Sequence, residues 1–132
     1  MNTTSHSRIS LRFLAGAALA SALGLAAGCS SEPVSSGSVV YEHGELNAGV
    51  PASYLATVAA AEKSVDQMQF VKITDVKDGL TAVIEARTAQ DKKVKITVTN
   101  TSDALTHVAI RVDHLGEEEL SDAVLNKIKA NL

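Results

Sequence analysis

The stretch Val71–Thr99 reads VKITDVKDGLTAVIEARTAQDKKVKITVT. Its apolar residues recur every second position, the period of a strand and not of a helix. Within Leu80–Thr88 they are Ala82, Ile84 and Ala86, and within Lys93–Thr99 they are Val94, Ile96 and Val98. In Val71–Lys77 the candidates for burial are Val71 and Ile73. The intervening positions hold Lys, Thr, Arg and Glu, so one face is dry and the other wet. Asp78-Gly79, between the first two runs, is a strong hairpin signal. A two-residue loop there pairs Ile73 with Ile84 and Val71 with Ala86, and sets Lys72 opposite Glu85. A slip of one residue would undo all three matches. The segment therefore reads as an antiparallel meander.

Outward from it, Leu105–Asp113 repeats the pattern with Val108, Ile110 and Val112. Asn100-Thr101-Ser102 between the strands matches a glycosylation sequon but reads as a turn. Glu117–Asn131 has helical spacing, with Leu120, Val124, Ile128 and Leu132 on one stripe. Glu117, Glu118 and Glu119 stand at its start and Lys127 and Lys129 near its end, as the helix dipole favours. Upstream, Pro51-Ala52-Ser53 opens a helix with Ser53 as N-cap. Leu55, Val58, Ala61, Val65 and Met68 form its inner stripe. Val39–Leu46 has strand composition, and Gly44 suggests a bulge within it. The order β-α-β-β-β-β-α predicts a two-layer α+β domain, an antiparallel sheet of about five strands with both helices on its one apolar face.

The N-terminal part is of another kind. Asn2–Arg12 is polar and basic, Phe13–Leu25 is an uncharged run, and Ala26-Ala27-Gly28 supplies small residues. That is the layout of a secretion signal, and the run is short of the roughly 20 apolar residues that cross a bilayer. Leu25-Ala26-Ala27-Gly28-Cys29 resembles a bacterial lipobox, with Ala26 where that pattern usually has Leu. The resemblance implies cleavage between Gly28 and Cys29, acyl chains on Cys29, and, with Ser30 following, delivery to the outer membrane of a Gram-negative cell. Two or more acyl chains anchor stably without a basic patch. Ser30–Ser38 (SSEPVSSGS) reads as a tether. The expected organisation is thus a signal over 1–28, a lipidated Cys29 with tether to 38, and a folded domain over 39–132.

Composition narrows the function. Arg8 and Arg12 fall in the signal, which leaves 10 of the 12 basic residues against 15 acidic ones, a net charge of −5. A nucleic-acid backbone would need the opposite sign. With one cysteine, no disulfide can form within the chain. Tyr41, Tyr54 and Phe70 are the only aromatic residues after the signal, few walls for a small-molecule pocket. No nucleophile elbow, phosphate loop, paired-cysteine or HExxH spacing occurs, so neither a cofactor nor an enzymatic reaction is expected. Asp113, His114 and Glu117, with His107 seven residues before His114, are the one set with metal-ligand chemistry close in sequence. They support an alternative reading as a metal- or ligand-binding lipoprotein.

Several short runs carry a family resemblance. They are Tyr41 with Gly44-Glu45-Leu46, Pro51-Ala52-Ser53, Ile84-Glu85-Ala86-Arg87, Lys93-Val94-Lys95-Ile96, and Ile110-Arg111-Val112 before Gly116. With the lipobox, they resemble a group of small proteobacterial lipoproteins of unknown function. That resemblance implies a lipid-anchored envelope protein and brings no activity with it. The element order is also similar to helix-grip modules in lipoprotein subunits of outer-membrane assembly machinery, a likeness of fold alone. The expected role is a non-catalytic interaction module, held to the membrane through Cys29 and docking another envelope protein. The candidate docking face is the wet side of the sheet: Lys72, Glu85, Arg87, Lys95, Thr97, His107 and Arg111.

Overall fold

The computed structural model describes residues 35–132. The expected signal, its cleavage site at Gly28 and Cys29, and the first residues of the expected tether lie outside the described residues. The chain forms β1 Val39–Glu42, β2 Glu45–Val50, α1 Tyr54–Gln67, β3 Val71–Lys77, β4 Thr81–Arg87, β5 Lys93–Ser102, β6 Leu105–Val112 and α2 Glu118–Ala130. The strands make one antiparallel sheet in the order β1-β2-β6-β5-β4-β3. β3 to β6 are a meander of neighbours in sequence. β2 closes onto β6 from the other end of the domain.

The architecture is α+β, with six strands and not five. Val39–Leu46 is not one bulged strand. His43 (φ 51°) and Gly44 (φ 77°) both take left-handed backbone, the requirement of a two-residue type I′ hairpin turn. Glu42 therefore pairs with Glu45, and β2 continues to Val50. The ladder also begins ahead of β1: the Gly37 N–H donates to the Gly49 carbonyl at 2.8 Å, and the Gly49 N–H donates to Ser38 at 2.9 Å. Asn100-Thr101-Ser102 is likewise no turn but the end of β5, and Ser102 pairs with Leu105 across the bend at Asp103-Ala104.

Leu46, Ile110, Ile96 and Ile84 stand side by side on four strands, and Ala48, Val108, Val98 and Ala82 form the next row. Val112, Val94 and Ala86 make a third. All are buried beneath the helices, each larger side chain contributing about 1.5–3 kcal/mol. α1 starts at the expected N-cap, where the Ser53 hydroxyl accepts the Ala56 N–H at 3.4 Å. It buries Tyr54, Val58, Ala61 and Val65 as one stripe. Thr57 and Ser64 share that stripe and return their hydroxyl protons to the carbonyls of Ser53 and Ala60, so no donor is stranded. Leu55 departs from the expected stripe and is 77% exposed, with Tyr54 in its place. α2 buries Val124, Leu125 and Ile128, while Leu132 is exposed.

β3 departs most from expectation. The turn tip is Gly79-Leu80, because the Asp78 carboxylate accepts the N–H groups of Leu80 (2.8 Å) and Thr81 (2.7 Å) and draws the bend one residue onward. The register shifts by two, so Ile84 faces Asp75 and not Ile73. A bulge between Lys72 and Thr74 then turns Val71 to the side of Arg87. Val71 and Ile73 are exposed (68% and 49%). On the helix-covered side this edge strand presents Lys72, Asp75 and Lys77 instead, and Lys77 pairs with Glu62 of α1 and, at 3.5 Å, with Asp75.

Candidate interaction face and the two ends of the sheet

Both helices lie on one side of the sheet, so the residues between the core positions share the other. Strand pairing orders them into rows. Glu45, Arg111, Lys95, Glu85 and Thr74 form the first, and Asn47, Ala109, Thr97, Val83 and Val76 the second. Gly49, His107, Thr99 and Thr81 form a third, and Lys93, Arg87 and Val71 a fourth. Six of the seven residues expected on this face are there: Glu85, Arg87, Lys95, Thr97, His107 and Arg111. Lys72 is not. It stands opposite Ala86, on the helix side, 3.9 Å from the Asp75 carboxylate.

The charges of the face are largely matched within it. Arg111 Nε lies 3.5 Å from Glu45, and its Nη2 donates to the His43 carbonyl at 3.1 Å. Lys93 Nζ lies 3.0 Å from Glu85, and Arg87 Nη1 lies 2.7 Å from Asp91. Lys95 is different. It faces Arg111 on one side and Glu85 on the other, and makes no ion pair among the described residues. Opposed like charges on neighbouring strands are unfavourable. His107 is half-buried, and its Nε2 lies 3.1 Å from the Asn47 side-chain oxygen, an acceptor for a proton on that nitrogen. Burial lowers its proton affinity below the ordinary histidine range, with Glu45 acting weakly the other way.

Glu45, Asn47 and Lys93 belong to this face and were absent from the sequence-based set. The first two are hidden in the sequence because a bulge at Gly44 gives β2 neither a partner nor a register, and the turn observed there supplies both. Lys93 was legible, since it alternates with Val94. The alternative ligand set does not converge. His107 and Asp113 stand six residues apart along one chain, about 20 Å in extended backbone, and Glu117 is engaged by Lys92 at 2.6 Å. Among the described residues no group of three or more His, Cys, Asp or Glu side chains is placed to hold a metal.

Each end of the sheet has its own construction. At the β1–β2 turn, Gly44 (φ +77°) meets Gly116 (φ +82°) of the β6–α2 loop backbone to backbone, beside the Tyr41 hydroxyl. A Cβ on either glycine would strike the other segment. The two glycines of the resemblance are thus one contact. At the opposite end a shallow cavity of about 370 Å³ lies between the start of α1 and the β3–β4 and β5–β6 turns, lined by Ser53, Tyr54, Leu55, Asp78, Gly79, Asn100, Ser102 and Asp103. The Tyr54 hydroxyl donates to the Asp78 carbonyl at 2.8 Å, and burial, then the Asp78 charge, raise its pKa. The Asp78 carboxyl is held below its ordinary range by the two N–H groups it accepts. The side-chain oxygen of Asn100 is buried with no hydrogen-bond partner among the described residues.

Residues 8–131 match a family model described as "Protein of unknown function (DUF3568)". No curated protein matches the chain.

Proposed function

The chain belongs to this family of unknown function (DUF3568), and on that premise we propose that it is a lipid-anchored, non-catalytic interaction module of the bacterial envelope. In this reading Cys29 carries the lipid, the domain faces the periplasm from the outer membrane, and the open sheet face docks another envelope protein. One observation carries the docking assignment. Lys95 lies near the middle of the bare face, opposite Arg111, with the nearby carboxylate of Glu85 drawn to Lys93. An acidic group from a partner would relieve that juxtaposition, and electrostatic complementarity of this kind steers encounter and fixes register. The paired cations around it limit the steering to a small area, so shape and hydrogen bonding would supply much of the specificity.

Two measurements test the reading. A photo-crosslinking residue at Thr97, in the row beside Lys95, is expected to capture a discrete envelope protein in cells. The same probe at Lys63, on the outer side of α1, is expected to capture none. Equal capture at both positions removes the docking face. Separately, Cys29→Ala is expected to leave an uncleaved precursor that takes up no labelled palmitate, and normal processing of that variant removes the anchor.

A further inference from the structure

The described domain has a direction. Gly37 and Ser38 pair with Gly49, so the chain joins the sheet at the end where α1 begins and where the β3–β4 and β5–β6 turns lie. The His43-Gly44 turn and the Gly116 loop stand at the other end. Ser35 follows Cys29 by six Cα–Cα steps, a reach of at most about 22 Å in fully extended chain. β5 alone, with ten residues, extends about 33 Å. A lipid on Cys29 would therefore hold the α1 end nearer the membrane than the glycine end.

That end exposes two large apolar side chains on separate elements. Leu55, in the first turn of α1, is 77% exposed, and Leu80, at the tip of the β3–β4 turn, is 66% exposed. They belong to one surface: Leu55 and Gly79 both line the shallow cavity, and the Tyr54 hydroxyl ties the helix to Asp78. Neither leucine joins the core. Charge at this end does not favour an anionic surface. Asp78 and Asp103 are there, and the neighbouring cation, Lys77, is taken by Glu62 and Asp75.

We propose that this end is the lipid-contacting surface of the domain, with Leu55 and Leu80 seated at the headgroup–acyl boundary of the membrane that holds Cys29. The proposal rests on the reading of Cys29 as the acylated residue. The occupant is a lipid surface because the chain that would carry the acyl groups enters at the same end of the sheet as these leucines, across its width from them. Attraction is apolar, so it should survive high salt and should not need anionic lipid. The sheet then stands with its strands rising from the bilayer and its open face turned sideways.

The chain has no tryptophan, so single replacements report position cleanly. The full-length, processed protein is reconstituted into phosphatidylethanolamine–phosphatidylcholine vesicles carrying brominated acyl chains. Leu55→Trp and Leu80→Trp are compared with Leu115→Trp, which replaces a 93% exposed leucine beside Gly116. Quenching several-fold stronger at positions 55 and 80 than at 115, unchanged in high salt, is the expected result. Equal quenching at all three, or none at 55 and 80, overturns the proposal while lipidation stands. The mass of the N-terminal peptide in the same preparation reads lipidation directly. An unacylated Cys29 overturns the anchor and this proposal together.

Discussion

Strands β4, β5 and β6 share a sheet with β3, yet they handle burial in opposite ways. The three inner strands send alanine, valine and isoleucine under the helices, closed to solvent in the three rows from Ala82 to Val112, and mostly polar residues outward. β3 sends Lys72, Asp75 and Lys77 toward the helix side and leaves Val71, Ile73 and Val76 exposed. The difference follows from position. An inner strand has neighbours on both sides and a helix above, so alternation converts directly into burial. An edge strand has a row of unpaired backbone groups on one side, and inward charges and a bulge are recognised ways of keeping a second strand from adding there. The same residues are thus costly in the centre and protective at the margin.

The largest test of that contrast is a pair of truncations. Ile96→Ala, at a fully buried central position, should lower unfolding stability by about 2–5 kcal/mol in urea titration. Ile73→Ala on β3 should cost about 1 kcal/mol or less. Comparable losses would mean that β3 is buried in solution. The other margin of the sheet is held by backbone contact and not by charge. Gly116→Ala forces a side chain into left-handed backbone against Gly44, and should cost about 1–3 kcal/mol in the same assay. A neutral result would show that the β1–β2 turn can move away from the loop.

Smaller in stability but sharper in meaning is the double change Asp75→Val with Lys77→Val. The ion pairs lost are only partly buried, and Glu62 is left without its cation, so monomer stability should fall by about 1 kcal/mol. Lys72 and Thr74 would be the polar residues left on the edge, and light scattering should detect concentration-dependent association beyond that of the parent chain. A strictly monomeric variant would show that the bulge alone guards the edge.

The smallest effect concerns His107 on the open face. Its folded proton affinity lies below the ordinary value of 6.5, so the unfolded chain binds the proton more readily. This contribution is fully present above about pH 6.5 and is lost as pH falls through the lower folded value. The urea midpoint should therefore drop between about pH 7.5 and pH 5.5. In His107→Gln that drop should be shallower, and an identical drop would assign it to other groups.

The inner strands were legible because their alternation is uninterrupted and each is flanked by turn residues. Ser53 was legible as a cap because a hydroxyl before a helical period has one good use. β3 was not, because Asp78-Gly79 offers two turns. Which one forms depends on the Asp78 carboxylate finding the Leu80 and Thr81 N–H groups, a choice invisible in residue type. The spacing of Leu55 fits the inner stripe, but Tyr54 fits nearly as well and also has a hydroxyl that reaches the Asp78 carbonyl. Of the candidate face, the rows on β4, β5 and β6 could be read from alternation. The contribution of β2 depended on recognising His43-Gly44 as a turn whose first residue is not glycine, asparagine or aspartate.

The pairing of β2 with β6 also sets a constraint in time. Glu45–Val50 finds its second neighbour only in Thr106–Arg111, which a ribosome makes about sixty residues later. Until then the β1–β2 hairpin has a bare ladder, while α1 can already settle on β3, β4 and β5. The later strands, by contrast, each meet their partner within a few residues of emerging. The N-terminal third of the domain is therefore made first and completed last. In that interval its free strand displays Asn47 and Gly49 among its apolar residues, a composition less adhesive than the valines and isoleucines of the strands that never have to wait.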